Sequence, residues 1–328
     1  MQNAHSLPRR EFLKTAAAFA ASSALLGLAP RAAAAAAKPW TVAIRDGHLK
    51  SSGQPDCWSA LKELGVSGME VTVGEDLRCA GLYHAEKKYT LATADGIKAL
   101  QDDLAAHGAT ITAFAMNNRL DERLDERLEQ EVAWARRLVA AAASFGVTAI
   151  RIDVVPHKTP VGDFLPVATK ACRALCDVAA GTPVRFAIEN HGRITNDPAF
   201  TEKLFDGVGS AQLGLTLDAM NFYWFGHPLQ DLYGIYEKFA PRVFHTHCKN
   251  LRYPADQKNV RRAMGWEYGK YSAALYDGDI DYRRVAAILR QANYQGDLCL
   301  ENECLGHFPK DQHAAVLKKE IALLKTLA

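Results

Sequence analysis

The chain has 328 residues, of which 48% are hydrophobic, and it carries 39 basic and 37 acidic side chains. Its length suits one large α/β domain or two smaller ones, with an ample core in either case. The near-neutral charge argues against nucleic acid as the principal partner, because nucleic-acid binding usually needs a basic surface. No stretch after the first 40 residues is long and apolar enough to span a membrane.

The N-terminal region has the pattern of an export signal. Arg9 and Arg10 precede a mildly apolar run, residues 15–30, and an alanine-rich tract with several A-x-A cleavage options follows. The stretch "RREFLK" resembles the twin-arginine export motif; a short amphipathic helix is the alternative. We therefore predict a signal peptide over residues 1–37, the twin-arginine export machinery as a partner, no stable membrane anchor, and a mature protein in the periplasm or cell envelope.

The rest of the chain alternates apolar strand-like runs with amphipathic helical runs. The predicted strands are residues 40–46, 68–73, 110–118, 149–155, 184–190, 213–218, 242–249 and 297–303. The predicted helices lie around residues 56–64, 95–107, 124–145, 164–180, 198–206, 228–239, 281–292 and 312–327. Eight β–α units predict an α/β fold, a (β/α)8 TIM barrel over residues 38–328. A doubly wound sheet is the alternative, but no G-x-G-x-x-G follows an early strand.

The seventh predicted strand carries a cluster of reactive side chains in "RVFHTHCKN", residues 242–250. Alternate residues of a strand share a face. His245, His247 and Lys249 should therefore point one way, while Cys248 points the other way. The phase of the strand thus separates the cysteine from the histidines.

An acid or a histidine stands near the end of each of the last four predicted strands. Barrel active sites lie at the C-terminal ends of the strands, and aliphatic neighbours on the opposite phase suggest that these side chains face the barrel axis. Burying ionised carboxylates without a cation is costly. A divalent ion bound by three acids and one imidazole would offset that cost. These predicted metal ligands are Glu189, Asp218, His247 and Glu301, with His245 competing with His247 for the ligand role.

The predicted ligand set is rich in oxygen, has one nitrogen and lacks a thiolate. Such a set favours Mn²⁺, Co²⁺ or Mg²⁺ and does not exclude Zn²⁺; we expect Mn²⁺. Each residue also has a structural alternative, because a strand-end acid is commonly a helix cap or an ion-pair partner.

Several motifs resemble the strand-end signatures of the xylose isomerase-like TIM-barrel superfamily, the sugar phosphate isomerase/epimerase group that includes endonuclease IV. They are "IEN", "LDAMN", "HTHCKN" and "DGDIDYRRVAAILRQANYQGDLCLENE", and the resemblance covers about residues 41–327. It implies the same four metal ligands and places Lys249 at the lysine of the family's H-x-K-D motif. Asn250 replaces the acid of that motif, and Asn221 stands where ketose 3-epimerases carry a histidine. These departures weigh against a free-ketose 3-epimerase.

The resemblance implies proton abstraction next to a carbonyl. A divalent ion that binds neighbouring carbonyl and hydroxyl oxygens acidifies the C–H bond between them and stabilises the enediolate. Glu189 and Glu301 would remove and return the proton, while Lys249 or His191 holds a substrate oxygen. We expect a sugar isomerase or epimerase. Its predicted location favours an unphosphorylated sugar, keto sugar, cyclitol or glycoside.

Two aromatic-rich loops follow the predicted ligand strands, residues 221–228 and an insertion at about 251–279. Aromatic faces suit the C–H faces of sugar rings, and the long insertion could form a lid. Alternatively, the aromatics pack a structured loop on the barrel rim or a contact between subunits of a homo-oligomer. The candidate substrate-binding residues are His191, Asn221, Trp224, Arg252 and Trp266.

Two other functions remain open at this point. A metal-dependent lyase or dehydratase starts from the same enediolate. A non-catalytic sugar-binding barrel would keep the fold without turnover. Endonuclease chemistry would need further metal-binding histidines and a basic cleft, and a serine hydrolase is disfavoured because no G-x-S-x-G motif occurs.

Overall fold

In the computed structural model, which describes residues 39–120 and 125–328, eight parallel strands wrap into a barrel. The strands in chain order are β1 (Thr41–Arg45), β2 (Gly68–Thr72), β3 (Arg78–Tyr83), β4 (Lys88–Thr90), β5 (Thr110–Ala115), β6 (Ala149–Ile152), β7 (Arg185–Glu189), β8 (Leu213–Asp218), β9 (Val243–His247), β10 (Asn250–Leu251), β11 (Ser272–Ala273) and β12 (Asp297–Leu300). The barrel order is β12-β1-β2-β5-β6-β7-β8-β9, and a parallel bridge between Cys248 and Leu300 joins its two ends. The predicted (β/α)8 TIM barrel is confirmed.

Helices connect the barrel strands, and several of them begin or end at recognisable caps. They are α1 (Cys57–Leu64), α2 (Ala94–His107), α3 (Asp125–Ala143), α4 (Phe164–Ala179), α5 (Pro198–Val208), α6 (Ala219–Trp224), α7 (Leu229–Phe239), α8 (Tyr268–Tyr271), α9 (Tyr282–Gln291) and α10 (His313–Leu327). The side chains of Asp56, Thr93 and Asp281 accept N-cap hydrogen bonds, while Gly65 and Gly108 end their helices in the left-handed conformation. Aliphatic and aromatic residues on the other phase of the strands form the buried core.

The predicted signal peptide, residues 1–37, lies outside the residues that the structure describes. Within the described part of the chain, no helix combines the length and the apolar character that crossing a membrane requires.

The structure adds short elements that the sequence analysis did not predict. The hairpin β3–β4 follows the second barrel strand, and α6 begins directly after β8. Within the insertion, β10 pairs with β11. Arg262 is buried there, with its guanidinium 4.5 Å from the ring centre of Tyr223 and 4.2 Å from that of Tyr253. The insertion is therefore packed against helix α6 by the cation–π contact of Arg262 with Tyr223.

The buried carboxyl of Glu320 on α10 gives the fold a pH-dependent stability. It accepts hydrogen bonds from the Leu275 backbone N–H at 2.9 Å and from Asn302 Nδ2 at 2.7 Å, yet burial raises its pKa from 4.5 to about 7. The folded state thus holds the proton at a pH where the unfolded state has lost it. The stability linked to this group is complete below pH 4.5 and falls by roughly 3 kcal/mol as the pH rises to 7.

We expect Glu320→Gln to remove this part of the pH dependence. Glutamine places an amide N–H₂ where the carboxylate accepted a bond, so the absolute stability shifts by a constant. The informative quantity is the difference in unfolding free energy between variant and wild type, measured by urea denaturation from pH 4.5 to 7. A difference that stays constant over that interval would contradict the assignment.

Candidate metal centre

The four predicted ligand residues meet at the C-terminal end of the barrel. Glu189, Asp218 and His247 end β7, β8 and β9, and Glu301 directly follows β12. His247 Nδ1 lies 3.2 Å from Glu189 Oε1 and 3.1 Å from Glu301 Oε2. One ligand atom from each of the four residues falls within 4.8 Å of the others, and all four side chains are buried. We call these four residues the ligand quartet.

Two oxygens of the ligand quartet have no hydrogen bond. Asp218 Oδ2 and Glu301 Oε2 are buried and accept none, although Lys249 Nζ lies 2.9 Å from each. Burial raises the pKa of Asp218 to about 7, against the opposing charge of Lys249. A buried acceptor without a well-directed hydrogen bond is costly, and a divalent cation would satisfy both oxygens. Three carboxylates and one imidazole thus fit a divalent metal.

Two arginines that the sequence analysis missed, the buried Arg151 and the partly buried Arg45, flank the ligand quartet. Arg151 Nε donates to Glu189 Oε2 at 2.8 Å, and its two terminal nitrogens bind Asp153 at 2.7 and 2.9 Å. Arg45 binds Glu301 on the opposite side. Burial alone would raise the pKa of both glutamates, but Arg151 and His247 hold the pKa of Glu189 well below its usual range, and Lys249, His247 and Arg45 do the same for Glu301. The two carboxylates are therefore ionised at neutral pH.

A cavity of about 240 Å³ opens beside the ligand quartet. Lys249 lies at its inner end and also contacts Glu303 Oε1 at 2.8 Å, while the hydroxyl of Tyr268 donates to Glu303 Oε2. Lys249 therefore joins the ligand quartet to the cavity. The lining residues are His191, Met220, Asn221, Trp224, Lys249, Tyr268 and Glu303.

The structure separates the predicted substrate-binding residues into two groups. His191, Asn221 and Trp224 line the cavity, and His191 Nδ1 lies 3.4 Å from Asp153 Oδ1. Arg252 and Trp266 are not among the residues that line it. Arg252 follows β10 and pairs with an exposed aspartate, its own side chain being 61% exposed. Trp266 stacks on Tyr271, at 5.5 Å between ring centres, within the insertion.

His245 lies one layer deeper than His247 and does not face the ligand quartet. Its Nε2 lies 2.5 Å from Glu70 Oε2, and its Nδ1 lies 2.8 Å from Asp297 Oδ1. Cys248 contacts Thr246 on the outer face of the strand. His247 is therefore the histidine of strand β9 that faces the three acids. Cys299 was not considered in the sequence analysis. Its Sγ and one potential ligand atom each of Glu70 and His245 lie within 4.8 Å of one another.

One of the missed residues also stands at a strand end. Arg45 ends β1, whereas Glu70 lies at the middle of β2 and Arg151 lies inside the predicted strand 149–155. The rule that found the ligand quartet would therefore have found Arg45 but neither Glu70 nor Arg151. Glu303 is the last residue of the predicted strand 297–303 and shares the phase of Glu301, so the rule applied to it as well. Tyr268 had no such signal, because the insertion brings it to the cavity.

Known proteins share this fold and place it in a family. The sequence profile described as Xylose isomerase-like TIM barrel matches residues 58–327. The IolI protein, solved with a bound zinc atom, has a TM-score of 0.66 at 13% identity and covers 87% of this chain and 98% of its own. No protein of curated function matches the chain in sequence.

Two further solved structures have described activities. The 3-keto-D-glucoside 4-epimerase YcjR from E. coli has a TM-score of 0.59 at 15% identity, covering 88% of this chain and 100% of its own. The probable 3-DHS dehydratase AsbF from Bacillus anthracis has a TM-score of 0.59 at 18% identity, covering 87% of this chain and 98% of its own. The structural neighbours thus include a sugar epimerase and a dehydratase, and at these identities the likeness shows the fold alone.

Proposed function

We propose that this protein, which belongs to the xylose isomerase-like TIM barrel family, is a divalent-metal-dependent sugar isomerase or epimerase. The observation that carries the proposal is the ligand quartet, in which two buried carboxylate oxygens lack a hydrogen bond beside a cavity of about 240 Å³. Glu189, Asp218, His247 and Glu301 would hold the metal, with Mn²⁺ as the proposed native ion.

When bound, the ion polarises adjacent carbonyl and hydroxyl oxygens of the substrate and so acidifies the C–H bond between them. Glu189 and Glu301 supply the carboxylates that take the proton from carbon and return it. Glu189 Oε2 accepts from Arg151 and Glu189 Oε1 from Asn221, whereas Glu301 Oε2 accepts no well-directed hydrogen bond and lies 2.9 Å from Lys249 Nζ. We propose Glu301 as the first acceptor of the proton on that difference.

Lys249 would hold a substrate oxygen at the inner end of the cavity. Its ammonium lies 2.9 Å from Glu301 Oε2 and is buried, and its carboxylate neighbours keep its pKa well above the ordinary value against the effect of burial. A permanently charged donor beside the proton acceptor stabilises negative charge that develops on a substrate oxygen.

The cavity favours an unphosphorylated carbohydrate. Among its lining residues, Lys249 already contacts Asp218, Glu301 and Glu303, so no unpaired lysine or arginine faces a phosphate. Trp224 and Tyr268 supply aromatic faces for the C–H surface of a sugar ring, and Glu303 can accept hydroxyl hydrogens. A free sugar, keto sugar, cyclitol or glycoside fits this chemistry.

Export by the twin-arginine pathway is proposed on the sequence pattern around Arg9 and Arg10. Replacing both arginines with lysine is expected to leave the protein in the cytoplasmic fraction of cells that otherwise deliver it to the envelope. Envelope delivery of the double variant at the wild-type level would contradict this route.

Solvent isotope exchange tests the proposed chemistry. The Mn²⁺-loaded protein is incubated in D₂O with a panel of free hexoses, cyclitols and 3-keto glucosides, and deuterium is located in product and recovered substrate by NMR. We expect deuterium at the carbon next to the carbonyl. Because a shielded proton transfer could hide exchange, the substrate deuterated at that carbon is also compared. A turned-over substrate with neither solvent deuterium nor a primary isotope effect would contradict proton abstraction.

A metal-dependent lyase or dehydratase is the second candidate, because loss of water or of a glycosidic group can follow the same proton abstraction. The observation that keeps it open is the Tyr268–Glu303–Lys249 group, which could protonate a leaving oxygen as well as hold a hydroxyl. The isotope experiment separates the two, since a lyase gives an unsaturated product and an epimerase gives a stereoisomer.

A further inference from the structure

Glu70 in β2 connects the ligand quartet to the layer beneath it. Its side chain is fully buried. Oε2 lies 2.6 Å from His247 Nε2 and 2.5 Å from His245 Nε2, and Oε1 accepts from Arg45 Nε at 2.9 Å. An ionised carboxylate only accepts hydrogen bonds, so each of the three nitrogens that face it carries a hydrogen.

This arrangement decides which nitrogen of His247 can bind a metal. A neutral imidazole has one N–H donor and one nitrogen with a lone pair. With the hydrogen on Nε2 directed to Glu70, the lone pair belongs to Nδ1. Nδ1 is the atom that lies 3.2 Å from Glu189 Oε1 and 3.1 Å from Glu301 Oε2. The donor pattern and the geometry therefore agree on Nδ1.

We propose that Glu70 is a positioning residue that fixes His247 as an Nδ1 ligand of the metal centre. The inference rests on the proposed metal-dependent function. A carboxylate that accepts the free N–H of a metal-ligating histidine fixes the ring orientation and makes the imidazole a stronger ligand. Glu70 acts through His247 and does not contact the cavity, so it is not a catalytic residue.

The layer beneath Glu70 holds its carboxylate in place. His245 donates from Nε2 to Glu70 and from Nδ1 to Asp297 Oδ1, at 2.8 Å. Asp297 is itself buried and lies beside the hydroxyl of Tyr294, 3.3 Å from the same oxygen. Glu70 is thus held by His245 from below and by Arg45 from the side. It cannot turn away from His247 without leaving a buried donor unpaired.

Glu70, His245 and Cys299 could also be considered as a second metal site, because their donor atoms are grouped. Each ring nitrogen of His245 is already paired with a single carboxylate, Nε2 with Glu70 at 2.5 Å and Nδ1 with Asp297 at 2.8 Å. By contrast, His247 Nδ1 faces oxygens of two members of the ligand quartet, Glu189 and Glu301, at 3.2 and 3.1 Å. The positioning role explains the same contacts without a second ion.

The first test uses the wild-type protein loaded with Zn²⁺, which is diamagnetic. Long-range ¹H–¹⁵N NMR of the imidazoles, assigned with a His247→Gln variant, reports which nitrogen binds the metal. We expect zinc on Nδ1 of His247 and a slowly exchanging hydrogen on Nε2. Coordination through Nε2 would overturn the proposal, whatever the variants do.

The second test compares metal affinity in variants, by competition with a chelator. Glu70→Gln is expected to raise the Kd for Co²⁺ and Zn²⁺ about 10–100-fold and to change the visible spectrum of the Co²⁺ form. Asp297→Asn, which acts through His245, should produce a smaller change in the same direction. The matched control is Glu131→Gln, because Glu131 is also buried and paired with an arginine, at 2.6 Å, but lies on α3.

The outcomes separate the two proposals. If the wild-type protein binds no divalent metal, the proposed function fails and the role of Glu70 fails with it. If the wild type binds metal and folded Glu70→Gln binds it with the same affinity and spectrum, only the role of Glu70 is overturned. If Glu70→Gln does not fold, the NMR measurement on the wild type decides.

Discussion

Replacing Glu301 with glutamine is expected to lower kcat by about 10²–10⁴-fold at saturating metal, which is the range for loss of a general acid–base group. Glu301 Oε2 has no hydrogen bond and lies 2.9 Å from Lys249, in the position from which it would take the proton. Glutamine keeps the size of the side chain but accepts no proton. The measurement is kcat and the Kd for Mn²⁺ in wild type and variant.

The two roles of Glu301 can be separated in that experiment. Glu301 is also a member of the ligand quartet, so part of the loss should be a weaker metal affinity that added Mn²⁺ restores. The loss of proton transfer should persist when the site is full. Glu131→Gln is the matched control, since it removes a buried carboxylate on α3. A Glu301→Gln protein that is within threefold of the wild-type kcat would show that another group takes the proton.

Replacing Arg151 with methionine is expected to lower the free energy of unfolding of the metal-free protein by about 3–5 kcal/mol, the usual result of breaking a buried ion pair from one side. Arg151 is buried and binds both Glu189 and Asp153, so its loss leaves the Glu189 carboxylate without its closest permanent cation. Denaturation by urea at pH 7, with metal removed by a chelator, measures the change.

Two comparisons make this result specific. Arg78→Met removes an arginine whose partner Asp76 is also exposed, and should change stability by no more than about 0.5 kcal/mol. Adding Glu189→Gln to Arg151→Met should recover part of the lost stability, because the unpaired buried charge is then removed. If the Arg151 variant is as stable as the Arg78 variant, the ion pair does not hold the site together.

The barrel could be predicted from the sequence because its signal is repeated. Eight apolar runs separated by amphipathic segments leave few alternatives, and the predicted strand ends differ from the observed ones by a few residues. The ligand quartet was also predictable, because parallel barrel strands bring their C-terminal ends to one place. Glu189, Asp218, His247 and Glu301 each stand where that rule applies.

The surroundings of the ligand quartet were less predictable for physical reasons. Arg45 obeys the same strand-end rule, whereas Glu70 and Arg151 lie inside their predicted strands. A charged residue in a short strand also fits an exposed edge, and only closure of the barrel buries it. The positions of Arg252 and Trp266, which do not line the cavity, were unpredictable for a different reason. Which way a long insertion turns depends on its own packing, here the contacts of Arg262 with two tyrosine rings.

Metal content tests the central claim most directly. The protein is purified without chelator and without metal-affinity resin, beside a His247→Ala variant, and both are assayed by elemental analysis before and after incubation with Mn²⁺ or Co²⁺. The ligand quartet predicts about one divalent ion per chain in the wild type and its loss in the variant. A wild-type protein that carries no divalent metal and takes up neither ion, or a His247→Ala variant that binds it equally well, would contradict the metal centre and the chemistry proposed from it.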